Sequence, residues 1–295
     1  MNLLNTLYEL FLSENTKKRI EKVILYIALI GFFVHLILIY LSKFDLIHFL
    51  SESAFFTNPI SAIYTPFSFI LIYEVYLLIY YLPKSFTTYI TKQYEIITLI
   101  IIRKLFKDLS VIEFSSNWFE IKSDLQFTYD ILASIILFYL IYQFQKQGMR
   151  KVPQDDSTKP KIERFILRKK IIAVVLVPIF FIMALVTLIN WMGGISLSTN
   201  TFPGIETINN LFFDEFFTVL ILVDVVLLLI SFFYTNRFHK IIRNSGFVVS
   251  TILIRLSFGV SGSISTVLIV LAVFFGWVII LIHNQYEKNM LSDKV

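Results

Sequence analysis

The chain alternates long apolar runs with short polar breaks. A helix needs roughly 20 mostly apolar residues to cross the ~30 Å hydrocarbon core of a bilayer. Residues 23–41, 62–82, 88–105, 127–144, 171–191, 212–234, 240–258 and 263–283 form such runs, the third and seventh starting polar. The pattern predicts an all-α integral membrane protein with eight transmembrane helices. The runs are continuously apolar and do not alternate in ten-residue strands, which argues against a barrel. The first is too long for a cleaved signal peptide, and no small-residue cleavage pattern follows it.

Composition agrees. The 295 residues are 57% hydrophobic, 17% aromatic and 16% charged, with mean hydropathy +0.75. A soluble domain carries about 25% charged residues, so disorder and a conventional water-soluble enzyme are excluded. The absence of cysteine excludes disulfides, thiolate metal sites and cysteine nucleophiles.

The 26 basic residues orient the spans. With the amino terminus inside, most of them fall on one side: Lys17, Lys18, Arg19 and Lys22; Lys84 and Lys92; the linker 145–169; Arg237, Lys240 and Arg243; Lys288 and Lys294. The loop 192–211 on the other side has none. This is the positive-inside distribution, with both termini cytoplasmic in a plasma or bacterial inner membrane. One stretch departs from it, where Lys104, Lys107 and Lys122 are offset by Asp108, Glu113, Glu120 and Asp124. The net charge of +5 sits at membrane boundaries, so it points to the lipid bilayer as partner and not to nucleic acid.

The two halves resemble each other. Lys22–Phe33 parallels Lys170–Phe181, and Glu74-Val-Tyr-Leu-Leu-Ile parallels Asp224-Val-Val-Leu-Leu-Leu. Thr98 to Arg103 parallels Ser250 to Arg255, and Leu140-Ile-Tyr-Gln parallels Leu281-Ile-His-Asn. Apolar matches arise easily by chance, but matched acids and arginines within spans are rare. The expected architecture is two parallel four-helix repeats, 23–144 and 170–288, related by an axis along the membrane normal. A basic cytoplasmic linker, 145–169, divides them. An amphipathic interfacial segment precedes them at 1–22, and a short tail, 289–295, follows. Trp118 and Phe119 are expected at the outer interface.

The charges inside the spans are the candidate site. An Asp, Lys or Arg at a helix centre raises the insertion free energy by about 2.5–3.5 kcal/mol. Glu74, Glu95, Arg103, Asp224 and Arg255 therefore call for partners. At 1.5 Å per residue, Glu74 and Asp224 lie roughly 12 and 15 Å from the inner ends of their helices. Arg103 and Arg255 come slightly further outward, within reach of a snorkelling guanidinium. The expected pairs are Glu74–Arg103 and Asp224–Arg255, either as structural clamps or lining a pathway. Glu95 has no acidic counterpart in the second half, which marks it for a separate role. Thr98 and Ser250 are candidate polar lining, although such hydroxyls commonly bond back to their own helix.

Pro66 and Pro178 mark expected kinks. Small residues at Gly246 and Ser250, Gly259 and Ser263, and Ala272 and Gly276 make helices seven and eight the tightest expected contact, within the chain or with a second copy or membrane partner. The four histidines show no metal-binding spacing, and no nucleophile elbow, phosphate loop or dinucleotide fingerprint occurs. Nothing points to a cofactor, a metal or enzyme chemistry. The leading expectation is a channel or transporter for a small ion or solute. The alternative is a non-transporting scaffold or accessory subunit whose polar pairs only fix packing.

Overall fold

The computed structural model describes residues 2–44, 59–109, 122–149, 159–197, 205–235, 237–260 and 262–292, and these are helical almost throughout. The helices are α1 (Asn2–Leu12), α2 (Glu14–Lys43), α3 (Tyr64–Tyr81), α4 (Phe86–Leu109) and α5 (Lys122–Gly148). They are followed by α6 (Lys159–Leu197), α7 (Ile205–Phe232), α8 (Phe238–Phe258) and α9 (Ser263–Ser292). The expected interfacial residues Trp118 and Phe119 lie outside the described residues.

Local chemistry sets the boundaries. Ser13 parts α1 from α2 and caps α2, its Oγ accepting from Thr16 N at 3.1 Å. The helix thus starts well before Val23, and Lys17, Lys18, Arg19 and Lys22 ride on its first turns. Helix α6 likewise extends back through most of the expected linker to Lys159. Pro160 falls in its first turn, where a missing N–H leaves no bond unmade. Pro66 sits in the first turn of α3 for the same reason, while α6 continues past Pro178. Between α8 and α9 the chain turns through Gly262 at φ 80°, a left-handed conformation that glycine adopts without strain.

Among the described residues six stretches are long and apolar enough to cross a membrane: Leu4–Lys43, Asp124–Gly148, Ile162–Val186, Glu215–Phe232, Phe238–Phe258 and Ser263–Met290. The apolar part of α3, Thr65–Tyr81, is shorter. Helix α4 carries Lys92, Gln93, Glu95, Arg103 and Lys104. These two are also the helices most enclosed by protein: Val75, Leu78, Ile79, Tyr89, Ile90 and Tyr94 have no exposed surface. Large apolar side chains point outward elsewhere, including Tyr26, Ile30 and Phe33 of α2 and Leu132, Ile135 and Phe138 of α5. Exposed hydrocarbon on this scale suits lipid and not water. The chain has the character of a multi-pass, membrane-embedded helical protein.

The helices pack as two compact units, each drawing on both halves of the chain. The first comprises Met1–Tyr80, Ile102–Phe127 and Val174–Phe216; the second comprises Tyr81–Ile101, Thr128–Ala173 and Phe217–Val295. In the first unit a tyrosine ladder on α3 holds the amino-terminal helices. Tyr73 donates to Glu21 Oε2 at 3.0 Å, Tyr76 to the Phe11 carbonyl at 2.8 Å and Tyr80 to Glu14 Oε2 at 2.6 Å. Residues three and four apart share one helix face, so the three hydroxyls line up. Further along, His35 Nδ1 and Thr65 Oγ1 meet at 2.6 Å in a buried contact.

In the second unit α8 lies directly on α9. Ser250 Oγ donates to the Ala272 carbonyl at 2.6 Å, and Tyr94 Oη meets Ser250 Oγ at 2.7 Å. Gly246 lies against Ile279, and Gly276 against the Tyr94 hydroxyl and Ser250. Close approach through small residues is how apolar helices gain contact in lipid, where hydrophobicity alone does not drive them together. Phe144 fills the space beside them, its ring centroid 5.1 Å from that of Tyr94 and 5.3 Å from that of Phe247. Thr266 Oγ1 donates to Asp130 Oδ1 at 2.5 Å and ties α9 to α5.

A Cβ at position 276 would collide with the Tyr94 hydroxyl. Gly276→Ala should therefore lose about 1–3 kcal/mol through overpacking. Thermal unfolding of the purified protein should show a lowered Tm, partly restored by adding Tyr94→Phe, which removes the colliding oxygen.

Candidate functional site

The second unit contains a polar cluster built around Asp224 of α7. Neighbouring Leu220 and Leu227 are fully packed, so the carboxylate, 1% exposed, turns into protein and not lipid. Gln93 of α4 donates through Nε2 to Oδ2 at 3.0 Å. Tyr89, one turn earlier on the same face of α4, also faces the carboxylate, as does Thr251 of α8. The Thr251 hydroxyl donates to the Val248 carbonyl at 2.9 Å. Two buried atoms at the centre stay without a hydrogen bond: Asp224 Oδ1 and Tyr89 Oη.

Asp224 also lines a cavity of about 20 Å³, together with Gln93, Phe217, Thr251, Ile254 and Arg255, among others. A space of that size admits one water molecule. Most of its wall is hydrocarbon, with Asp224, Gln93 and Thr251 contributing oxygen and Arg255 contributing a cation.

The cation that acts on Asp224 is Lys169 of α6. It is 1% exposed, an extreme position for a lysine. Its Nζ donates to the Lys84 carbonyl at 2.6 Å, in the turn between α3 and α4. The same ammonium lies 5.5 Å from the ring centre of Phe86 and 5.4 Å from that of Phe165. A carbonyl and two ring faces replace part of its hydration. Asp224 and Arg255 thus line one cavity, whereas the charge felt by Asp224 comes from α6.

The other candidates occupy different settings. Glu74 and Arg103 are both buried in the first unit, and the Arg103 guanidinium is the charge that acts on the Glu74 carboxylate. Glu95 is partly exposed and accepts from Lys92 Nζ and Gln145 Nε2, each at 2.6 Å. Thr98 Oγ1 donates back to the Tyr94 carbonyl of its own helix at 3.0 Å. Ser250 serves the α8–α9 contact, and the residue that lines the cavity is its neighbour, Thr251.

Several of these residues escape inspection of the sequence. Lys169 reads as one more residue of a basic linker, because nothing local reveals that α6 begins earlier. Gln93 and Tyr89 lack a formal charge. Asp130 does carry a readable signal, an acid just inside the fourth apolar run; it is fully buried.

A second cluster joins the ends of α8 and α9. Arg243 Nη1 lies 3.1 Å from His283 Nε2, and His283 Nδ1 lies 3.3 Å from the His239 carbonyl. A guanidinium only donates, so Nε2 accepts and the ring proton resides on Nδ1. Glu287 Oε1 lies 3.6 Å from His283 Nε2 and 3.7 Å from His239 Nε2. Among the described residues no group of three or more His, Cys, Asp or Glu side chains is placed to hold a metal ion.

Comparison with protein families, curated proteins and solved structures returns no match to this chain.

Removing either of two buried groups of opposite charge leaves the other less compensated, whereas replacing both removes the imbalance. Lys169→Met and Asp224→Asn should each lower the stability of the purified protein. The double variant should lose less than the two single losses combined, read as a coupling energy from denaturant unfolding in detergent.

Proposed function

We propose that this protein is a channel or transporter for a small ion or solute in a plasma or bacterial inner membrane. The observation that carries the reading is Asp224: an acid with no exposed surface to speak of, one carboxylate oxygen unbonded, against a water-sized cavity. An ionisable group within a span is costly, and the ordinary reason to keep one is a substrate or ion route. Glu74 and Arg103 in the first unit are a second such set.

In this reading all eight apolar runs cross the membrane, as two parallel four-helix repeats with both termini cytoplasmic. The burial of α3 and α4 supports counting them as spans, because protein and not lipid surrounds their polar side chains. An 18-residue helix such as α3 rises about 27 Å, close to the hydrocarbon thickness.

A second reading, a non-transporting scaffold or accessory subunit, is favoured by the size of the cavity, which admits one water and has mainly apolar walls. The polar clusters would then only hold helices together. A second copy or a membrane partner would dock on the outward apolar faces of α8 and α9, where Leu253, Leu256, Val267 and Leu271 are exposed.

Flux of protons, sodium, potassium and chloride through the purified protein in liposomes separates the two. Transport predicts measurable flux in the parent, reduced at least tenfold in Asp224→Asn or Glu74→Gln. A parent that passes nothing leaves the scaffold. The topology has its own check, since the chain has no cysteine. A membrane-impermeant maleimide should label Ser198→Cys on intact cells and Ser157→Cys only after permeabilisation. The reverse pattern would invert the orientation.

A further inference from the structure

The Asp224 cavity has features that select among ions. A hard metal cation takes about six or more oxygen ligands. The cavity offers side-chain oxygen from Asp224, Gln93 and Thr251 alone, and the rest of its wall is hydrocarbon apart from the Arg255 cation. The helical backbone around it spends its carbonyls on its own hydrogen bonds. Arg255 on the wall and Lys169 beyond oppose a single carboxylate, so no net negative charge remains to hold a second metal-sized cation. An anion fares no better beside Asp224. A proton needs only one lone pair, and Asp224 Oδ1 is a buried carboxylate oxygen without a close hydrogen-bond donor.

We infer that the species bound at this cavity is a proton, carried on Asp224 Oδ1. Loading forms one O–H bond at Oδ1 with a proton delivered from water, and unloading returns it. The Asp224–Lys169 set then moves between charge zero and charge plus one. Gln93 holds Oδ2 through its Nε2 in both states, which leaves Oδ1 as the oxygen that changes. The Tyr89 hydroxyl faces the same carboxylate and is placed to exchange a hydrogen bond with it in either state. The titratable and charged groups facing Asp224 are Tyr89 of α4, Lys169 of α6 and Arg255 of α8, with Gln93 and Thr251 as the neutral polar contacts. This deepens the transport reading and rests on it only for the destination of the proton.

Infrared difference titration of the full-length protein in lipid tests the site without requiring flux. A protonated-carboxyl stretch should rise and fall with pH and shift in deuterium oxide. It should be lost in Asp224→Asn, kept in Glu74→Gln, and kept at a moved frequency in Asp224→Glu, which guards against a folding defect. Replacing sodium by choline should leave the midpoint in place. A band that survives Asp224→Asn, or a midpoint that follows the sodium concentration, would overturn the inference. A band without flux in liposomes sinks the transport reading and spares the proton site; flux without the band does the opposite.

Discussion

Hydrocarbon offers no hydrogen bonds, so every polar group a span brings into the membrane must find its partner in the protein. In the proposed topology the arrangement of α3 and α4 answers that demand. Both are too polar or too short to stand alone as spans, and both are the most enclosed helices of the chain. Tyr76, Tyr80, Tyr89, Tyr94, Gln93, Glu74 and Arg103 turn inward, while α2, α5 and the outer faces of α8 and α9 present large apolar side chains. Among the described residues large apolar side chains are spread over the outer surfaces, and Glu74, Arg103, Asp130, Lys169 and Asp224 lie within an otherwise largely apolar core.

Satisfying polar groups is also what specifies the packing. The tyrosine ladder of α3 reaches two glutamates and a carbonyl on α1 and α2. Ser250 reaches a backbone carbonyl on α9, and Asp130 receives the Thr266 hydroxyl. Each such bond fixes the rotation of one helix against another, which dispersion between smooth apolar surfaces leaves loose. Gly246 and Gly276 act with these bonds, because only a missing side chain lets the helices come near enough for the hydroxyls to meet their partners.

Asp224 combines burial within a span with a cavity at its side. A polar core that leaves one carboxylate oxygen and one tyrosine hydroxyl unbonded carries a standing free-energy cost. Lys169 lowers that cost through its charge, held in place by a carbonyl and two aromatic rings rather than by a direct bond to the acid. A pair joined only through the field keeps the acid's second oxygen open, which a bidentate salt bridge would not.

The sequence by itself determined the class of the protein: long apolar runs and scarce, patterned charge leave only a helical membrane chain, because their periodicity and length depend on neighbours along the helix. It also singled out Glu74, Arg103, Asp224 and Arg255, since a charge within an apolar run is conspicuous without coordinates. It did not reveal the contacts around Asp224 or the histidine cluster. The pairing of Asp224 with Lys169, the approach of Gln93 and Tyr89, and the gathering of His239, His283 and Glu287 all join residues distant in the chain. Lys169 looked like solvated linker because its burial depends on where α6 begins and on which rings surround it. Such contacts follow from how the helices are rotated and packed, and packing is a property of the whole assembly of helices rather than of any one of them.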